Sequence, residues 1–218
     1  MVLLVIACAA AVGAAVWVRP PHTVSRNAPG LVIGEPGGPV PPGLILPGAG
    51  SSGEMKPAPA FALTVLSSGS PPSSPAAGVP PAVIPAAGAR LTLSALRGHP
   101  VVVNFWGSWC GPCRAEMPLL VKAWHAYAGR GVVVVGFDVD DTPAEARRFL
   151  REYNVDYPIV TVPDEHLPRA YGVIGLPTTV FVDATGTIRA RQLGGFVGED
   201  GEKTLTKQLD ALIAAGRR

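Results

Sequence analysis

The sequence predicts an α/β fold in which helices cover both faces of a mixed β-sheet, preceded by an N-terminal transmembrane segment and a linker. Two observations lead to this prediction. After residue 90, apolar runs of strand length alternate with stretches of helix length, which is typical of βαβ units. Glycine (26 residues) and proline (24) are concentrated between Pro20 and Ala89, and such a composition does not form a packed core. We therefore expect one folded domain behind a long lead.

The first 18 residues, MVLLVIACAAAVGAAVWV, contain no charged side chain. A helix from Val2 to Val18 would be roughly 26 Å long at about 1.5 Å per residue, the short end of what crosses a bilayer. This segment (1–18) is predicted to be a membrane anchor, with a cleaved signal peptide as the alternative. A lipobox-like stretch makes lipidation of Cys8 a further alternative. Basic residues follow the segment and none precedes it, which taken alone would favour a cytoplasmic domain.

Two low-complexity stretches lie around the start of the folded domain. Residues 19–56 repeat proline, glycine and small apolar residues without periodicity, which predicts a linker. The domain itself is predicted over residues 57–218. Within it, Ala58–Leu63 alternates as a short edge strand does, and residues 67–88 are a low-complexity insertion.

Short apolar runs predict the strands of the domain, and stretches of helix length between them predict the helices. After a short strand or turn over 91–96, the predicted strands are 100–106, 132–138, 158–162, 179–183 and 187–192. The predicted helices are 110–128, 142–153, 164–171 and 199–215.

Local signals support several of these elements. Thr142-Pro143-Ala144-Glu145 supplies an N-cap, a proline in the first turn and a capping-box glutamate, so a helix begins there. Ala184-Thr185-Gly186 separates the last two strands and predicts a hairpin. The closing helix carries Leu205 and Leu209 on one face. This order of strands and helices implies a mixed sheet covered on both faces.

Cys110 and Cys113 form a C-x-x-C pair directly after a buried strand. A structural zinc site needs four ligands, and neither Cys8 nor the scattered histidines show ligand spacing. A structural disulfide is a second reading, but so short a loop constrains the unfolded chain very little. The third reading is redox exchange. A strand–turn–helix places Cys110 at a helix N-terminus, where unpaired N–H groups favour a thiolate, and Cys113 one turn further on.

The motifs around this pair resemble those of a known family. Trp109-Cys110-Gly111-Pro112-Cys113 is identical to the thioredoxin motif, and Pro118 matches the proline that kinks its active-site helix. Gly175–Thr179 is similar to the loop whose proline is cis and faces the cysteines. Leu91–Gly98 and Ala58–Phe61 are similar to the lead-in of the TlpA group. From about residue 56 to residue 215 the chain therefore resembles the thioredoxin superfamily, and more closely the membrane-anchored TlpA/ResA/CcmG-like thiol–disulfide oxidoreductases.

This resemblance implies a thioredoxin-like domain on the outer face of a bacterial cytoplasmic membrane. Cys110 would be the attacking sulfur and Cys113 the resolving one, with their redox-active disulfide in place of any metal or organic cofactor. The residues expected to form the substrate groove are Trp109, Gly111, Pro112, Leu176 and Pro177. The implied partners are client proteins with cysteines or disulfides, including apocytochromes c, and a membrane electron donor. The net charge of +2, without a basic patch, gives no indication of a nucleic-acid partner.

Asn104 and Glu116 mark a departure from thioredoxins. Asn104 occupies the position of their buried aspartate and cannot take a proton. Glu116 matches a glutamate that ResA-like proteins keep beside their cysteines, and it lies one helical turn after Cys113. We therefore expect Glu116 to handle the protons of this site, with a solvated helix glutamate as the alternative.

The direction of exchange has two readings. Gly111 and Pro112 between the cysteines favour reduction of client proteins, because strongly reducing thioredoxins share this pair. Oxidation of clients during disulfide-bond formation is the alternative. A copper-binding chaperone of similar fold is a further one, although such proteins place three residues between their cysteines and use a distal histidine.

Overall fold

The computed structural model describes residues 44–47, 56–67 and 83–216. The predicted membrane segment over 1–18 with Cys8, most of the linker over 19–56 and most of the insertion over 67–88 lie outside these residues. None of the helices in the described part of the chain is long and apolar enough to cross a membrane.

The described strands form one mixed sheet. In chain order they are β1 (Leu44–Pro47), β2 (Ala62–Ser67), β3 (Arg90–Thr92), β4 (Val101–Trp106), β5 (Val133–Val139), β6 (Ile159–Val162), β7 (Thr178–Val182) and β8 (Ile188–Leu193). Their order in the sheet is β1-β8-β7-β4-β5-β6-β2-β3. The central pairs β4–β5 and β5–β6 are parallel, and the other described pairs are antiparallel. The predicted mixed sheet is therefore confirmed.

Helices cover both faces of this sheet, as predicted. The helices are α1 (Gly111–Tyr127), α2 (Pro143–Glu152), α3 (His166–Ala170) and α4 (Gly198–Ala215). Buried residues of α1, α2 and α4 pack on the face that carries Val102 and Val134. The opposite face, with Val103 and Val135, packs against the segment around β2 and β3 and against Leu167 of α3.

Strand direction brings two predicted motifs to the same end of the sheet. Phe105 near the end of β4 lies opposite Thr178 at the start of β7, because these strands are antiparallel. The turn that follows β4 and the Leu176–Pro177 pair that precedes β7 therefore meet there. The other end of the central strands is at Val101, which lies opposite Val182 at the end of β7.

The local signals in the sequence are confirmed at α2 and at the hairpin. The Thr142 Oγ1 accepts the Glu145 backbone N–H (3.3 Å), and the Glu145 carboxylate accepts the Thr142 N–H (3.0 Å), which completes the capping box. Between β7 and β8 the Asp183 N–H donates to the Thr187 carbonyl oxygen (2.9 Å). Gly186 in this turn has φ +81°, a conformation that glycine adopts at little cost.

The prediction of a linker without regular structure over 19–56 is wrong at Leu44–Pro47. These residues form β1, which pairs antiparallel with the outer side of β8. The short apolar run is flanked by prolines and glycines, which in sequence are typical of a linker. A strand at the edge of a sheet tolerates a proline, so this composition does not exclude one. Pairing with β1 covers the edge that β8 would otherwise expose.

The strand predicted at a sheet edge over Ala58–Leu63 lies further along the chain, at Ala62–Ser67, and it pairs on both sides, with β6 and β3, so the predicted edge position is wrong. Before this strand, Lys56 and Ala58 pair with the end of the β7–β8 hairpin. The Ala58 N–H donates to the Gly186 carbonyl oxygen (2.8 Å), and the Ile188 N–H donates to the Lys56 carbonyl oxygen (2.9 Å). Proline at positions 57 and 59 cannot donate to a ladder, so continuous pairing starts only after them. The end of the predicted insertion is also ordered against β2, because the Gly88 N–H donates to the Val65 carbonyl oxygen (2.8 Å).

Candidate active site

The two cysteines lie where β4 passes through a turn into α1. Cys110 is the N-cap of α1, and its sulfur accepts the Cys113 backbone N–H (3.2 Å). A disulfide bond joins the two residues, and Pro112 lies in the first turn of the helix, where its missing N–H costs nothing. Cys113 is fully buried, whereas Cys110 is 6 % exposed. On reduction, the Cys110 sulfur is therefore the one that a large partner can reach, and the helix N-terminus favours its thiolate.

The Leu176–Pro177 loop packs beside this turn. The peptide bond between the two residues is cis, as the resemblance implied. The Pro177 carbonyl oxygen accepts the Gly194 N–H (3.0 Å), and the Thr178 hydroxyl donates to the Gly175 carbonyl oxygen (2.7 Å). Leu176 packs against the apolar cluster that contains both cysteines. The loop thus lies at the same end of the sheet as the disulfide.

Glu116 is fully buried in α1, one turn after Cys113, so the solvated alternative is wrong. Its carboxyl group accepts the Asn104 Nδ2–H (2.8 Å) and the Phe196 backbone N–H (3.1 Å). Asn104 is held in turn by a hydrogen bond from Nδ2 to the Thr179 hydroxyl oxygen (3.0 Å). Burial raises the pKa of Glu116 to about 8, although both hydrogen bonds favour the ionised form. The carboxyl group therefore changes charge in the neutral range.

The Gly194–Phe196 loop after β8 completes the surroundings of Glu116, and the sequence analysis missed it. A Cβ atom at Gly195 would lie 3.1 Å from the Pro112 carbonyl oxygen and 3.6 Å from the Glu116 Cβ. Glycine therefore lets the loop approach closely enough for the Phe196 N–H to reach Glu116. The only sequence signal was the pair of glycines directly after the last strand.

Three exposed apolar side chains belong to segments next to the active-site turn, the cis-proline loop and the loop that contacts Glu116. Trp109 (61 % exposed), Ile174 (70 %) and Val197 (47 %) are the exposed large apolar residues of the described part of the chain. They belong to the turn before Cys110, to the loop before Pro177 and to the segment after Phe196. Trp109 was predicted to line a groove, whereas Ile174 and Val197 were missed because an isolated apolar loop residue carries no sequence signal. Patches of this kind mark binding sites for apolar surfaces.

Ser108, next to Trp109 in this turn, is tied to the end of β5. The Asp141 carboxylate accepts both the Ser108 backbone N–H (2.7 Å) and the Ser108 hydroxyl (2.6 Å). The Trp109 indole packs over Gly107, where a Cβ atom would lie 2.8 Å from its Nε1. Within the described residues, no three His, Cys, Asp or Glu side chains converge in a way that could hold a metal ion.

Comparison with known proteins agrees with this geometry. The family model of the AhpC/TSA family matches residues 56–191. The thiol-disulfide oxidoreductase ResA of Bacillus thuringiensis subsp. konkukian (strain 97-27) is 32 % identical over 120 residues, which are 55 % of this chain and 69 % of that protein.

Two solved structures share the fold. One is a secreted disulfide oxidoreductase of Mycobacterium tuberculosis homologous to E. coli DsbE, with 26 % identity and a TM-score of 0.53 over 70 % of this chain and 96 % of that one. The other is a thiol:disulfide interchange protein of the thioredoxin family from Chlorobium tepidum TLS, with 25 % identity and a TM-score of 0.55 over 72 % and 97 %. The predicted thioredoxin-like fold is confirmed, and the chain belongs to the AhpC/TSA family, as a thiol–disulfide oxidoreductase of the ResA type.

Proposed function

We propose that this protein reduces disulfide bonds in client proteins through the Cys110–Cys113 dithiol. The observation that carries the proposal is the asymmetry of the pair: Cys110 caps α1 and is 6 % exposed, while Cys113 is fully buried one turn behind it. The Gly111–Pro112 pair between them, shared with reducing thioredoxins, supports reduction over oxidation.

The reaction proceeds through two exchanges. The Cys110 thiolate attacks one sulfur of the client disulfide, and the other client sulfur leaves as a thiolate. The Cys113 thiolate then attacks the Cys110 sulfur of the mixed disulfide, which releases the second client sulfur. Two electrons pass from the dithiol to the client, and the protein is left with the disulfide described above. A membrane-bound dithiol donor restores the reduced form by the same steps in reverse.

Glu116 supplies and removes the proton of Cys113 during this cycle. With a pKa of about 8, Glu116 is mostly the neutral acid at pH 7 in the oxidised protein. When a donor thiolate opens the disulfide at Cys110, Cys113 leaves as a thiolate and takes the Glu116 proton. The resulting carboxylate later removes that proton, so that Cys113 can attack the mixed disulfide.

The clients and the location follow from the site and the family resemblance. The exposed side chains of Trp109, Ile174 and Val197 suit an apolar client segment that carries the target sulfur. Residues 1–18 would anchor the domain to the outer face of a bacterial cytoplasmic membrane, and the secreted M. tuberculosis relative supports this side. Apocytochromes c, whose cysteines must be reduced before haem attachment, are the client class that the ResA resemblance favours.

The reduction potential of the Cys110–Cys113 pair tests the direction. Equilibration of the protein with glutathione or dithiothreitol buffers, followed by thiol alkylation, measures it. We expect a value near that of thioredoxin, about −270 mV, whereas a value near about −120 mV would identify an oxidant of client proteins.

Trapping of clients tests the separate roles of the two cysteines. In Cys113→Ser the nucleophile remains but the mixed disulfide cannot be resolved, so client proteins accumulate as covalent adducts. The matched control, Cys110→Ser, forms none. Non-reducing gels of both variants expressed in a bacterial host measure this, and equal trapping by both would contradict the assignment.

A further inference from the structure

A second carboxyl group, that of Asp138, is buried behind the active-site turn and has no part in the exchange steps. Asp138 lies near the end of β5, is 1 % exposed, and has Trp106 of β4 and Thr161 of β6 as its neighbours in the sheet. Among the described residues, no N–H or O–H group donates to either of its carboxyl oxygens. A buried carboxylate without donors is unfavourable, so its partner must be sought among acceptors.

The partner is the carboxyl group of Asp141, three residues further on. Asp138 and Asp141 are within hydrogen-bonding reach of each other. Asp141 accepts two hydrogen bonds from Ser108, one on each carboxyl oxygen. Two ionised carboxylates only accept, whereas a protonated one also donates. A hydrogen bond between Asp138 and Asp141 therefore requires a proton, and the deeper burial of Asp138 favours the proton on that residue.

The charges around Asp138 favour that proton. Burial is the largest cause, and the hydrogen bond to Asp141 and the like charges of Asp141, Asp140 and Glu145 add to it. Together they raise the pKa of Asp138 to about 8. The sheet neighbours Trp106 and Thr161 carry no charge.

Arg114 contacts the active-site turn, but its positive charge is already paired with a carboxylate other than Asp138 and Asp141. Arg114 of α1 donates to the Ser108 carbonyl oxygen (3.4 Å), but it forms an ion pair with Glu152 and packs over the ring of Phe149. Its charge is therefore shared with another carboxylate.

We propose that Asp138 and Asp141 share one proton, and that this proton fixes the Ser108–Trp109 turn in front of Cys110. The chain of contacts runs from Asp138 through the proton to Asp141, and from Asp141 through two hydrogen bonds to Ser108. Loss of the proton leaves two like charges in contact, one of them buried, so Asp141 separates from Asp138 and Ser108 moves with it. Asp138 is thus a positioning residue, and Trp109, the exposed indole of the client-binding rim, is the group that it positions.

Nuclear magnetic resonance of the oxidised full chain in detergent, with EDTA present, tests the shared proton. The ¹³C resonance of the Asp138 carboxyl carbon and the ¹⁵N resonance of the Ser108 amide are followed from pH 5 to 9.5. We expect both to change in one transition with the same midpoint, near pH 8. A carboxyl resonance of Asp138 that titrates near its ordinary pKa, or a Ser108 amide that does not follow it, would overturn the proposal.

Two variants separate this transition from the titration of Glu116. Asp138→Asn keeps a donor for Asp141 and cannot ionise, so Ser108 should stay at its low-pH position throughout. Glu116→Gln should keep the Ser108 transition unchanged. A Ser108 transition that persists in Asp138→Asn, or that disappears in Glu116→Gln, would assign it to another group and contradict the proposal. The effect of Trp109 position on client exchange rests on the proposed function. The shared proton does not, because these resonances report the Asp138–Asp141 pair whether or not the protein reduces clients.

Discussion

At the scale of single residues, burial governs the titration of Glu116. Its two hydrogen-bond donors, Asn104 and the Phe196 N–H, favour the carboxylate, yet the loss of hydration outweighs them. Aspartate at position 104 would have placed a second acid beside Glu116, and the two would have titrated as a coupled pair. Asparagine supplies a donor without a proton to lose. The site therefore concentrates its proton chemistry in one carboxyl group of α1.

Replacing Glu116 with glutamine removes this titration at nearly constant side-chain size. In the unfolded chain the pKa of Glu116 has its ordinary value of 4.5, whereas in the folded protein it is about 8. The unfolded chain holds fewer protons between these values, so the free energy of unfolding of the wild type falls as pH rises from 4.5 to 8. At about 1.36 kcal/mol per pK unit, the wild type should lose at most about 4 kcal/mol more than Glu116→Gln over this range.

Urea unfolding of the two disulfide-bonded proteins at pH 5, 6.5 and 8 measures the difference. The comparison uses the change with pH, because a glutamine amide facing the Asn104 and Phe196 donors costs a similar amount at each pH. The other buried acids of the described residues, Asp138 and Asp183, contribute equally to both proteins. Parallel pH profiles would show that Glu116 does not titrate between these values.

At the scale of elements, the loop after β8 determines the environment of the active-site helix. Gly194–Phe196 touches α1 at Pro112 and at Glu116, so one short loop contacts both the cysteine motif and the buried acid. The loop can lie this close to α1 because Gly195 has no side chain that would meet the Pro112 carbonyl oxygen.

Gly195→Ala tests this contact. The added methyl group would lie 3.1 Å from the Pro112 carbonyl oxygen, closer than ordinary van der Waals contact, so the loop must shift away from α1. We expect a loss of about 1–2 kcal/mol in the free energy of unfolding, as is usual for overpacking, together with slower disulfide exchange. Gly216→Ala is the matched control. Its new methyl group would be 3.5 Å from the Ala184 Cβ, an ordinary van der Waals contact, and residue 216 is distant from the cysteines in the sequence. Equal stability of the two variants would mean that the loop adapts freely.

The elements that the sequence predicted well are those with strong local signals. The apolar run of β4, the capping box at Thr142 and the hairpin glycine at position 186 each determine a boundary by short-range physics. The edge strand β1 was missed and β2 was misplaced, because β1 pairs with β8 and β2 with β6, partners more than 90 residues away in the chain. The C-x-x-C motif was also recognisable, because all of its residues are close together in the sequence. The Gly195 contact and the burial of Asp138 depend on packing between distant segments, which no local pattern encodes.

At the scale of the whole molecule, the sheet extends into the segment predicted as a linker. β1 lies at one edge of the described sheet, beside β8, and belongs to the unit Gly38–Arg218. The folded domain therefore begins before residue 56, where the family match starts.

Two fragments, 38–218 and 56–218, test the contribution of β1. We expect both to fold and to reduce disulfides, since the cysteines and Glu116 lie in elements that both retain. The shorter fragment should be less stable by about 1–2 kcal/mol, the net value of a few backbone hydrogen bonds, and should self-associate through the exposed edge of β8. Urea unfolding and analytical ultracentrifugation at several protein concentrations measure the two effects. Identical stability and a monomeric shorter fragment would show that β1 contributes nothing to the domain.

The antiparallel pairing of β7 with β4 has a practical consequence for following this protein at work. Val182 at the end of β7 lies opposite Val101 at the start of β4, whereas the cysteines follow the last residue of β4. The length of β4 separates these two ends by roughly 17 Å at about 3.3 Å per residue. A fluorophore attached at Thr185, which is exposed in the hairpin after Val182, would therefore serve as a distance reporter for the arrival of a labelled client at Cys110, without blocking the reactive end.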